Sequence, residues 1–277
     1  MKHKFLFILL FSLVLEGMVT TQAVAGDYVH QVNTLIGTKG TGLTSGYLYP
    51  GATYPYGMVQ FTPSYFSKRS GFVINQLSGG GCEHMGNFPT FPVKGKLKMS
   101  PDNILNYRIN VSEEKGHAGY YEAMVQEDIK AKLTVTERTG MASYEYPADQ
   151  QYGTIIIGGG ISATPIEQAA IVITAPNKCE GYAEGGNFCG LRTPYKVYFV
   201  AEFDTDAFET GTWKREELMP NTTFAEGEYS GVYFTFDVNK KKNIRLSLVG
   251  SEMCIRDRPN SIHIYIVLSF TRMFVAM

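Results

Sequence analysis

Apolar and polar residues alternate strictly over Ile129-Lys130-Ala131-Lys132-Leu133-Thr134-Val135-Thr136. A period of two puts one face in a core and the other in water, the mark of a half-buried β-strand. The same period recurs at Val232, Phe234, Phe236 and Val238, and at Ile244, Leu246 and Leu248, and more weakly from Lys94 to Met99. Thr154 to Gly158, Ala170 to Thr174 and Val197 to Phe203 are more continuously apolar, as expected of strands covered on both faces. No stretch sustains apolar i, i+3, i+4 spacing over a dozen residues. Many short strands separated by turn signals predict an all-β fold, a large antiparallel β-sandwich.

Both ends depart from this pattern. Residues 1–25 read as a secretory signal peptide, with Lys2 and Lys4 ahead of the apolar run Phe5–Leu15 and Ala23-Val24-Ala25 as a small-x-small cleavage site. That run is short for a membrane anchor and is interrupted by Glu16. Export to the periplasm, cell surface or medium, with no membrane span after signal removal, is therefore expected. From Val249 onward the sequence VGSEMCIRDR resembles translated sequencing-adapter read-through, and an apolar run containing His263 and Arg272 follows it. The reading is thus a signal over 1–25, a β domain over 26–248 and an artefactual tail over 249–277.

The chain carries 25 Lys and Arg against 26 Asp and Glu, with no basic cluster, so nothing in its charge argues for nucleic acid. Cys179 and Cys189 bracket what reads as a Gly-rich loop, Glu180 to Phe188. They either close a small disulfide after export or stay as two reduced thiols, and spacing alone does not choose. Gly158-Gly159-Gly160 follows a strand, but Ile161 to Pro165 opens no helix, so a dinucleotide fingerprint fails on context. His30, His84 and His117 sit in no zinc-binding pattern. Cys82-Glu83-His84 reads as a polar loop, because three adjacent side chains do not converge on one ion unaided. Asp204 and Asp206 read as surface or capping residues.

The segment from Val32 to Phe88 interleaves Gly and Pro with Tyr and Phe, which describes tight turns beneath exposed rings. Such a surface suits sugars, with C–H faces for the rings and hydroxyls for the amides. Val32-Asn33 with Ile36-Gly37-Thr38, Pro50-Gly51-Ala52 followed by Pro55-Tyr56-Gly57-Met58-Val59, Leu77-Ser78-Gly79-Gly80-Gly81-Cys82, Ala118-Gly119-Tyr120-Tyr121, Val197-Tyr198-Phe199 and Gly211-Thr212-Trp213 occur in that order. Together they resemble the N-terminal domain of glycoside hydrolase family 92, the calcium-dependent exo-acting alpha-mannosidases.

The resemblance implies the large twisted sandwich of a two-domain glycosidase whose C-terminal (α/α) barrel is missing here. It implies a mannose-containing glycan as ligand, and positions near the sugar for Gly46, Tyr47 and Tyr49. Asn75, Gln76, Ser78, Glu83, His84 and Asn87 supply donors and acceptors beside the backbone of Gly79 to Gly81. Each of these is also explained by a side chain satisfying its own turn. The chain departs from the family around Gln76 and after Cys82, where Glu83 and Asn87 stand in place of an acidic pair. Inverting hydrolysis needs an acid and a base about 6.5–9.5 Å apart. The resemblance places both, with the calcium ligands, in the barrel, so no catalytic residue, metal ligand or cofactor is expected within this chain. The alternative is a free-standing exported carbohydrate-binding module without chemistry.

Overall fold

The computed structural model describes residues 28, 31–38, 48–63, 71–75, 86–102, 111–159, 166–185 and 194–252, the last three as backbone only. The chain divides into two compact units, Met1–Val32 and Asn33–Met277. In the first, the Gln31 N–H donates to the Tyr28 carbonyl at 3.0 Å. Everything below concerns the second.

Its strands in chain order are β1 (Ala52–Thr53), β2 (Gln60–Pro63), β3 (Phe72–Val73), β4 (Thr90–Lys94), β5 (Val111–His117), β6 (Tyr120–Val125), β7 (Ile129–Val135), β8 (Thr139–Glu145) and β9 (Tyr152–Gly158). Then come β10 (Ile166–Ala175), β11 (Lys178–Gly185), β12 (Tyr195–Phe203), β13 (Glu209–Lys214), β14 (Glu217–Pro220), β15 (Phe224–Glu226), β16 (Ser230–Asp237) and β17 (Asn243–Glu252). They form two antiparallel sheets, one ordered β1-β2-β3-β4-β9-β16-β13-β14 and the other β15-β10-β11-β12-β17-β8-β7-β6-β5. The expected all-β sandwich is the fold. Strand β17 runs on past Leu248 and pairs with β12 as far as Glu252 against Val197.

The core between the sheets is aromatic. Phe203 of β12 meets Phe234 and Phe236 of β16 at centroid distances of 4.8 and 5.0 Å. Phe72 packs on Tyr144 and Tyr121, and Phe88 on Phe199. Buried tyrosines keep a partner for the phenol, as the cost of an unpaired polar group requires. Tyr144 Oη lies 3.0 Å from the Thr90 hydroxyl, and Tyr121 donates to Glu114 at 2.9 Å. At the edge, β5 carries a register shift between Ser112 and Lys115 and a run of charges, which protects it from pairing with other chains.

Strict alternation in β7 translates directly into facing: Ile129, Ala131, Leu133 and Val135 are buried and the residues between them are not. β9 is buried along nearly its whole length, as its continuous apolar sequence predicts. Its second cover is the segment from Gly95 to Asp102. Thr154 Oγ1 donates to the Gly95 carbonyl at 2.7 Å, and Lys96 Nζ sits over the Tyr152 and Phe208 rings.

Three expectations are corrected. Lys94 to Met99 is not a strand: β4 ends at Lys94, and Gly95 at φ 75° turns the chain out across the sheet face. β10 is not covered on both faces but alternates, leaving Ala170 and Val172 half-buried on its outer side. Glu180 to Phe188 is not a loop throughout, since β11 continues to Gly185.

Candidate functional site

The aromatic, Gly-rich segment forms the β1–β2–β3 edge of the first sheet. Gly51 opens it where the chain touches β2. A Cβ at this position would stand 2.2 Å from Thr62 Cβ and 2.3 Å from the Phe61 carbonyl oxygen, so only glycine fits. Its N–H donates to Thr62 Oγ1 at 3.1 Å. Tyr49, two residues earlier, is half-buried, and burial holds its phenol well above the ordinary pKa, so it stays neutral.

After β1 the chain makes a tight turn, in which the Gly57 N–H donates to the Tyr54 carbonyl at 2.9 Å. Tyr56 takes φ 58°, a left-handed conformation uncommon for an aromatic residue, and its ring is fully exposed. Tyr54 and Met58 are also exposed. The Met58 N–H donates to the Glu137 carbonyl at 2.7 Å, which ties the turn to the β7–β8 hairpin.

Asn75 and Asn87 form the neck of the polar loop. Asn87 N–H donates to Asn75 Oδ1 at 2.7 Å, and Asn75 Nδ2 donates to Asn87 Oδ1 at 2.8 Å. These two hydrogen bonds engage the Asn75 amide with its own loop, the turn-satisfying role weighed against sugar contact. Asn87 is fully buried and its Nδ2 has no acceptor among the described residues. Phe88 follows at φ 51°, buried, its ring 4.1 Å from that of Phe199. Left-handed non-glycine residues store strain that the surrounding structure must hold, and here two of them flank the loop and the turn.

Of the residues picked from the sequence as sugar contacts, Tyr49, Asn75 and Asn87 are described, and Tyr49 does not meet the other two. β1 and β3 run in the same direction on either side of β2. Tyr49, before β1, and Asn75, after β3, therefore leave opposite ends of the edge. At the Asn75 end stands the Tyr54–Met58 turn, whose residues no sequence argument had singled out as contacts, although exposed rings over tight turns were its signal. Gly46, Tyr47, Gln76, Ser78, Cys82, Glu83 and His84 lie outside the described residues. So does Cys189; Cys179 is a free thiol, fully buried in β11, and burial pushes its pKa up.

The arrangement can present rings and amides to a flat, hydroxylated or apolar partner. Among the described residues no three His, Cys, Asp or Glu side chains stand close enough to hold a metal ion. Asp204 acts as a cap, accepting from the Arg245 N–H at 3.1 Å and from Lys241 Nζ at 2.8 Å, while Asp206 is exposed. No described helix is long and apolar enough to cross a membrane.

The sequence model of the glycosyl hydrolase family 92 N-terminal domain matches residues 31–249. The chain belongs to that family. A curated relative, an uncharacterized secreted glycosidase of Arthroderma benhamiae, is 30% identical over 159 residues, which cover 49% of this chain and 20% of the relative. The solved family 92 glycosyl hydrolase ccman5 superposes with a TM-score of 0.70 at 21% identity, covering 81% of this chain and 32% of that one. A family 92 alpha-mannosidase of Bacteroides thetaiotaomicron, solved with mannoimidazole, gives a TM-score of 0.68 at 24% identity over 80% of this chain and 32% of its own. An inverting family 92 mannosidase of the same organism gives 0.68 at 23% identity over 82% and 32%. At these identities the likeness establishes the fold. The family 92 chain described here spans about a third or less of the length of these relatives.

Proposed function

We propose that this chain is the N-terminal sandwich of an exported, calcium-dependent, inverting family 92 alpha-mannosidase, and that it forms one wall of the sugar pocket. The observation that carries this reading is the exposed Tyr54, Tyr56 and Met58 turn beside the Asn75–Asn87 neck, in a domain covering about a third of its relatives. Rings and amides at one end of an edge can bind a mannose unit but cannot cleave its bond. The acid, the base and the calcium ligands belong, in this reading, to a C-terminal helical barrel. Residues 1–25 then serve export and 250–277 lie outside the matched family domain.

The test is a single long sequencing read of the source DNA from codon 240 onward, followed by expression of the whole frame. A frame that runs from Leu248 into helical repeats, with a product that releases mannose and loses activity in EDTA, is the expected result. A genuine stop after Met277 overturns the enzyme reading and leaves the carbohydrate-binding module.

A further inference from the structure

The outer face of the second sheet carries a groove of about 360 Å³ over β15, β10, β11 and β12. The strand register maps its surface. One row across the sheet reads Phe224, Val172, Glu180, Val200, and the next reads Glu226, Ala170, Tyr182, Tyr198. The small side chains of Ala170 and Val172 form the floor. Phe224, 53% exposed, makes one wall, and the Tyr182–Tyr198 pair makes the other, two strand spacings or about 10 Å away. The carboxylates of Glu180 and Glu226, both exposed, stand on neighbouring rows.

The tyrosine wall is held from behind. Tyr182 and Tyr198 lie directly opposite each other, with ring centroids 6.0 Å apart. Lys196 Nζ sits 3.8 Å from the Tyr182 centroid and 5.5 Å from that of Tyr198, and is itself paired with Glu184. A wall fixed before the ligand arrives loses little freedom on binding.

We propose that this groove is a second glycan-binding site, which takes a neutral hexose unit between Phe224 and the tyrosine pair. Sugar C–H faces meet the rings, and hydroxyls donate to Glu180 and Glu226. Rings beside carboxylates also suit an alkylammonium ion. Here the Lys196 ammonium already occupies the face of both tyrosine rings that a cation would use, so a neutral polyhydroxyl ligand is favoured. The groove lies on the other sheet from the Tyr54–Met58 turn, and its existence does not depend on the reading above; only the choice of mannan as probe does.

The test is native affinity electrophoresis of the full chain through gels with and without mannan. Mannan is expected to retard it, methyl α-mannoside to restore its mobility, and tetramethylammonium to have no effect. Tyr198→Ala and Glu180→Gln should each weaken retardation by about fivefold, while Glu217→Gln, exposed on β14 at the far edge of the other sheet, leaves it unchanged. Circular dichroism confirms that each variant is folded, and the exposed Glu180 gives a variant that folds even where a tyrosine variant does not. The proposal is overturned by a folded chain that runs freely in mannan and other neutral polysaccharides, or by competition from tetramethylammonium. It is equally overturned if Glu180→Gln and Tyr198→Ala leave the retardation intact. Retardation that is lost in Glu180→Gln, from a frame that truly stops at Met277, would remove the enzyme reading and keep this one.

Discussion

Asp102 and Trp213 offer a direct test of how the first sheet is covered. Trp213, the single tryptophan of the chain, is fully buried on the face of β13 that the Gly95–Asp102 segment overlies. Burial pushes the Asp102 carboxyl from 3.8 up to about 7, against partial offsets from the facing Trp213 indole and from Arg215. Neither Asp102 Oδ1 nor Trp213 Nε1 has a partner at hydrogen-bonding geometry among the described residues. The folded state therefore holds a proton that the unfolded chain releases at lower pH. Stability contributed by this group is full below about pH 4 and is lost as the pH rises toward 7. For a fully buried acid this gap corresponds to about 4 kcal/mol. Asp102 is only half-buried, and solvent screening reduces the effect to about 1–2 kcal/mol. Asp102→Asn removes the titration. Urea unfolding followed by Trp213 fluorescence should give equal midpoints for the two proteins at pH 4. At pH 8 the variant should be more stable, by about 0.5 M urea for a slope near 2–3 kcal/mol/M. A midpoint difference that is the same at both pH values, or of opposite sign, refutes the argument.

Three further outcomes follow from the packing. Gly51→Ala drives a methyl into the β2 backbone and should cost about 2–3 kcal/mol, read as a lower urea midpoint; an unchanged midpoint would mean that this edge is looser than its contacts imply. Asn75→Ala leaves the Asn87 N–H and side-chain oxygen unpaired at a fully buried site and should lower the melting temperature by about 5–10 °C; a drop under 2 °C would show that the pair closes nothing. Cys179 should escape alkylation in the native chain and be labelled in urea, because its thiol is buried and held protonated; mass spectrometry finding native labelling at the rate of an exposed thiol would contradict its place in the core.

Where a strand's own sequence decides its facing, reading the sequence succeeds. Ile129 to Val135 alternates, and so does its burial. It fails where the deciding partner is distant. Lys94-Gly95-Lys96-Leu97 alternates as well as a strand does, but the left-handed Gly95 carries it off the sheet, where Thr154, far along the chain, takes its carbonyl. Ala170 to Thr174 looks fully covered because its outward residues are apolar too, yet those residues are the floor of a groove rather than a second core.

The candidate site divides in the same way. Composition identifies rings and amides over turns, and those features are present at the β1–β3 edge. Which of them share a location depends on strand direction: β1 and β3 run the same way, so Tyr49 and Asn75 part while Tyr54 and Asn75 come together. The exposure of Tyr56 depends on a single positive φ, which its sequence neighbours do not dictate. Tyr182 and Tyr198 are unremarkable as sequence, and they become an aromatic wall only because the β11–β12 register sets them opposite each other above Lys196. A one-residue slip of β12 would turn the Tyr198 ring into the core and bring Val197 to the surface, breaking the pair. A sugar site on a sheet face is thus a property of register, and Glu180→Gln and Tyr198→Ala probe that register as directly as they probe the ligand.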